Sequence, residues 1–72
     1  MGEKLVEALE AAETKLGIKI PDAIWIEVLG YSVRKLEYIK KPDSYLPILF
    51  ENELTDYFSR AAINLRGAMN YV

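Results

Sequence analysis

The clearest periodic pattern of apolar residues lies in the last third of the chain, between Ser44 and Gly67. At about 100° per residue, the large apolar side chains of this stretch fall within roughly 120° of a helical wheel, and polar residues fill the other side. The pattern predicts a long helix over residues 44–66 with one face in a core. The members of that stripe are Leu46, Phe50, Leu54, Tyr57, Phe58, Ala61 and Leu65.

A narrower apolar stripe predicts a first helix over residues 3–16, with glutamates on its opposite side. Gly17 is suited to the left-handed position that commonly ends a helix. The next apolar residues, Ile18 and Ile20, alternate with a lysine, and we expect both to plug one end of a helix bundle. The stripe itself is rich in alanine and consists of Leu5, Ala8, Leu9, Ala12 and Leu16.

The middle of the chain predicts a second helix over residues 21–40 that is unusually apolar. Its apolar residues cover about 240° of the wheel, whereas a surface helix needs little more than about 100°. Such a helix has to be covered from several directions, and two neighbouring helices cover only part of it. The pattern therefore predicts association with a second copy of the chain or with another protein. The solvent-facing side is limited to Glu27, Gly30, Arg34 and Glu37.

Gly30 interrupts this second helix, and two interpretations remain open. Glycine in a helix interior destabilises the helix by about 1 kcal/mol relative to alanine. One interpretation is that Gly30 marks a close crossing with another helix, where a larger side chain would not fit. The other interpretation is a simple interruption or kink of the helix.

Two short breaks divide the chain into these helices. We expect Pro21 to occupy the first position of the second helix, where its missing N–H costs little. Asp43 or Ser44 is expected to cap the third helix. The predicted fold is a small all-α domain spanning residues 1–72, with a long antiparallel helix pair and the shorter N-terminal helix packed across both.

The amino-acid composition excludes several common kinds of catalytic and metal site. The 72 residues include no cysteine and no histidine, which excludes disulfides, thiolate metal sites and the commonest general base. The serines have no histidine to activate them, and no glycine-rich phosphate loop is present. Glu51, Glu53 and Asp56 are the best candidates for paired carboxylates, but a solvated helix face is their more ordinary role. We predict no catalytic residue, no metal site and no cofactor.

A basic cluster raises the alternative of a small DNA-associated regulator of the helix-turn-helix type. Its members would gather near the end of the second helix and along the third. The formal net charge of −2, the acidic first helix and the apolar start of the third helix all oppose nucleic-acid binding. The cluster comprises Arg34, Lys35, Lys40, Lys41, Arg60 and Arg66.

The leading functional prediction is a non-catalytic helical protein that acts through protein–protein association as an adaptor or regulator. A two-fold homodimer is the commonest closed arrangement, so the first expected partner is a second copy. A small-ligand binder with a tyrosine-lined cavity is the weaker alternative. Neither a membrane span nor a signal peptide is expected, which favours the cytoplasm of a bacterial or phage-borne system. The interface candidates are Trp25, Ile26, Val33, Ile48, Leu49 and Ile63.

Overall fold

The computed structural model describes the backbone of residues 2–70 and the side chains of residues 2–60. Three α-helices and one short 3-10 turn make up this part of the chain, and its backbone contains no strand. The predicted all-α three-helix fold is therefore confirmed. In chain order the elements are α1 (Glu3–Leu16), α2 (Asp22–Ile39), the 3-10 turn (Asp43–Tyr45) and α3 (Leu46–Asn70).

α3 is the central helix of the fold. It packs extensively against α1 and also against α2, whereas α1 and α2 make no comparably extensive contact with each other. The expectation that α1 packs across both long helices is thus corrected, since α1 rests mainly on α3. α2 and α3 are adjacent in space and joined by a short connection, which makes them an antiparallel pair.

The core forms where α3 meets the other elements. Phe50 and Leu54 of α3 are completely buried, as the periodicity of that helix predicts. α1 contributes two buried alanines, and their small side chains let the backbones of α1 and α3 approach closely. Tyr57 differs from the rest of the predicted stripe because it is largely exposed, and the side chains of Ala61 and Leu65 lie outside the described residues. The core cluster consists of Ala8, Ala12, Ile20, Val28, Phe50 and Leu54.

The end of α1 is built as the sequence predicts, but the starts of the other two helices differ. Gly17 takes the left-handed conformation with φ 68°, and its N–H donates to the carbonyl oxygen of Glu13 at 2.8 Å. Pro21 precedes α2 as its N-cap residue instead of occupying the first helical position. Pro42 is the N-cap of the 3-10 turn through which the chain enters α3. Neither Asp43 nor Ser44 therefore takes the predicted capping position.

The connection between α1 and α2 is stabilised by Glu13, which the sequence pattern places on the solvent-exposed side of α1. The Glu13 carboxylate accepts a hydrogen bond from the backbone N–H of Ile20 at 2.8 Å. Ile20 is 2% exposed and belongs to the core, whereas Ile18 is largely exposed. Only one of the two isoleucines expected to plug the bundle therefore does so.

Candidate association surface

The side of α2 that faces α3 is defined by three buried residues on successive turns. Val28, Ser32 and Leu36 are buried, and the Ser32 hydroxyl donates to the Val28 carbonyl oxygen at 2.8 Å. A small residue at the centre of this stripe lets α2 lie close to α3 without leaving a polar group unpaired. The opposite side of α2 is then directed away from the fold.

The six interface candidates do not form one patch. Ile26 and Val33 are 56% and 41% exposed and lie on the same side of α2, two turns apart. Ile48 is 55% exposed but belongs to α3, where it borders a shallow groove against α1. Leu49 is only 5% exposed and belongs to the buried core, so this interface candidate is not accessible to a partner. Ile63 lies outside the residues whose side chains are described.

Trp25 is the remaining candidate, and it is only partly available. Its side chain is half-buried and packs against the core cluster. The indole Nε1–H donates to an Asp22 carboxylate oxygen at 2.9 Å, within the first turn of α2. Trp25 therefore anchors the start of α2 to the fold, and Ile26 presents the more accessible apolar surface.

Gly30 has no packing role among the residues whose side chains the structure describes. It lies almost opposite Ser32, at about 200° on the helical wheel, and therefore points away from α3. A Cβ atom added at Gly30 would meet nothing within 4 Å. α2 also continues unbroken through this position, so neither a close crossing inside the chain nor an interruption of the helix accounts for the glycine. We call the residues around it, Ile26, Glu27, Gly30, Val33 and Arg34, the outer face of α2.

A cleft of about 590 Å³ lies between α2 and α3. Its walls carry Tyr31 and Tyr57, which are 47% and 43% exposed. We call it the tyrosine cleft. Its charges are mixed, and none of its residues is a cysteine or histidine that could serve as a nucleophile or general base near neutral pH. The other lining residues are Glu27, Val28, Arg34, Glu53, Asp56 and Arg60.

Beside this cleft, an ion pair holds α2 to α3. The Lys35 Nζ lies 2.6 Å from a Glu53 carboxylate oxygen and 5.8 Å from the centre of the Tyr31 ring. The hydrogen bond to Glu53, followed by the charge of that carboxylate, raises the pKa of Lys35 above its ordinary 10.5. A second ion pair, Lys15 to Glu51 at 2.7 Å, joins α1 to α3.

These pairs give structural roles to residues considered for other functions. Glu51 and Glu53 each bind a lysine of a different helix, and no group of three potential metal ligands occurs among the described residues. The basic cluster considered for DNA is also divided, since Lys35 is paired with Glu53 and Lys41 lies 5.8 Å from the centre of the Tyr45 ring. Sequence spacing gives no signal for either ion pair, because each joins residues on separate helices.

We expect Lys35→Met to remove a stabilisation that disappears at alkaline pH. Lys35 holds its proton more tightly in the folded than in the unfolded chain, so its contribution is complete below the unfolded pKa. That contribution is lost as the pH rises through the raised folded pKa. Urea unfolding across a pH series should show a constant difference in unfolding free energy between wild type and variant from neutral pH to about pH 10, and a shrinking difference above it. Lys19→Met, at an exposed position, is the control. If its stability difference from wild type shrinks equally at alkaline pH, the effect does not come from the pairing of Lys35 with Glu53.

No protein-family model matches the chain, and no curated protein or solved structure is significantly similar to it. Within the described part of the chain, no helix combines the length and the apolar content needed to cross a lipid bilayer. Function is therefore inferred from the residues and geometry of this chain alone.

Proposed function

We propose that the protein is a non-catalytic association module whose first partner is a second copy of itself. The observation that supports this most directly is the outer face of α2, where Ile26 and Val33 leave large apolar side chains in solvent. Removing apolar surface from water is favourable by roughly 25 cal/mol per Å². A partner that covers this side of α2 would therefore stabilise the complex relative to the single chain.

The size of the domain supports the same proposal. A domain of 72 residues buries only about 60% of the surface that its unfolded chain exposes, and it has no disulfide to compensate. Oligomerisation is one of the usual ways in which so small a fold is stabilised. Binding to other proteins as an adaptor or regulator is the role that such a module serves.

The native mass of the protein tests this proposal. Sedimentation equilibrium over a wide concentration range should show a rise from the 8.2 kDa chain towards twice that mass. The double variant Ile26→Glu/Val33→Glu should remain at the mass of one chain with unchanged helicity, because it places four carboxylates in a two-fold interface.

Ile48→Glu is the matched control, since Ile48 is equally exposed but lies on α3. It should leave the assembly intact. A wild-type protein that stays at the mass of one chain at every concentration would refute self-association. Retention of the wild-type mass by the double variant would show that another surface mediates it.

A further inference from the structure

The outer face of α2 is arranged symmetrically about Gly30. Ile26 and Val33 are seven residues apart, as are Glu27 and Arg34, and the midpoints of the two pairs fall on either side of Gly30. At about 100° per residue, the apolar pair lies roughly 50° to one side of Gly30 and the charged pair roughly 50° to the other. The face therefore has an apolar edge and a charged edge, with the glycine between them.

We propose that two copies of the chain pack α2 against α2 in an antiparallel two-fold contact that crosses at Gly30. This inference rests on the self-association proposed above and specifies its geometry. A two-fold axis perpendicular to α2 keeps each edge on its own side and reverses the helix direction. Ile26 then faces the second copy's Val33 along one edge, and Glu27 faces the second copy's Arg34 along the other.

Charge complementarity supports this occupant and this orientation. The antiparallel contact brings each Glu27 to an arginine of the second copy, twice by symmetry. A parallel two-fold contact would instead turn the charged edge of each copy towards the apolar edge of the other, which leaves Glu27 and Arg34 against apolar side chains without an opposite charge. Both side chains are exposed at the rim of the tyrosine cleft, and neither forms an ion pair with another described residue, so both are available to a second copy.

Gly30 supplies the second argument. It gains nothing from the packing of its own chain, since the space beyond its Cα is open. Two helices that cross at a glycine can bring their backbones closer than any larger residue allows, which increases the contact made by the flanking side chains. Contact with α2 of a second copy at this position would explain why a glycine occurs in the middle of α2.

A charge-reversal mixture tests the pairing of Glu27 with Arg34. Glu27→Arg and Arg34→Glu should each weaken the homodimer on the order of 10-fold to 100-fold, because both symmetry-related contacts become repulsive. An equimolar mixture of the two variants should regain dimers, since each arginine then meets a glutamate. Native mass spectrometry identifies the mixed dimer by its mass, and a purely structural role of either residue would give no such preference for the mixed species.

Gly30 variants test the crossing point. Gly30→Leu should leave the fold intact, because the added side chain enters open space, but should weaken the dimer on the order of 10-fold or more by separating the helices. Asn52→Leu is the matched control: it adds bulk at an exposed position of α3, outside the proposed α2 contact, and should change the dimer little. Circular dichroism on each variant verifies that α2 is retained.

The outcomes separate this inference from the proposal on which it rests. A wild-type chain that never dimerises overturns both. A wild-type dimer whose charge-reversal variants fail to form mixed dimers, or whose Gly30→Leu variant binds undiminished, overturns the α2 crossing and leaves self-association standing. Recovery of mixed dimers together with loss of dimerisation in Gly30→Leu supports the crossing.

Discussion

Phe50→Ala is expected to destabilise the fold more than any other substitution considered for this chain, by about 3–5 kcal/mol. The Phe50 side chain is completely buried at the point where α3 meets the rest of the core. Removing a buried phenylalanine costs about 3–5 kcal/mol, through lost transfer free energy and the cavity left behind. A domain of 72 residues has a total stability of roughly 4–11 kcal/mol, so this single change removes much of it.

Chemical unfolding followed by circular dichroism measures this loss for Phe50→Ala. Ile48→Ala is the control, because it removes a large apolar side chain from the same helix at a 55% exposed position. We expect the control to change the unfolding free energy by less than about 0.5 kcal/mol. Equal losses in the two variants would mean that Phe50 is not the centre of the core.

Glu13→Ala is expected to destabilise the fold by about 1–3 kcal/mol, although Glu13 lies on the predominantly acidic side of α1. Its carboxylate is the acceptor for the backbone N–H of Ile20, a residue that is 2% exposed. Removing the carboxylate leaves that N–H without its partner in a largely buried position, and the desolvation of an unpaired donor is costly.

Two further variants make the result for Glu13 specific. Glu13→Gln keeps an oxygen that can accept the hydrogen bond, and it should lose much less stability than Glu13→Ala. Glu10→Ala removes an exposed glutamate one turn earlier on α1 and should be nearly neutral. If all three variants unfold at the same denaturant concentration, the hydrogen bond to Ile20 contributes nothing to the stability of the connection.

The existence and order of the helices could be predicted from the sequence because each helix carries its own apolar periodicity. Phe50 and Leu54 follow from that periodicity and are buried as predicted. Gly17 could also be anticipated, since few other residues adopt its left-handed backbone conformation at low cost. These are local properties, which are encoded within a few turns of the chain.

The failures arise where one helix meets another. Leu49 lies outside the narrow stripe of α3 but is buried, one turn before the Glu53 that pairs with Lys35 of α2, so it is on a second side of α3 that only the packing reveals. Glu13 looks like one more surface acid until the connection folds back and brings the N–H of Ile20 to it. The wide apolar surface of α2 correctly indicated that Ile26 and Val33 are exposed. Ile48 is also exposed, but it lies on a different surface, beside the groove between α3 and α1.

The central position of α3 has a consequence for how the protein is made. α1 and α2 make no extensive contact with each other, and both depend on α3, which is synthesised after them. An isolated helix as short as the 14 residues of α1 is marginal in water. A nascent chain that carries only α1 and α2 therefore has almost no core to bury. The domain gains its stability only once α3, with Phe50 and Leu54, has left the ribosome.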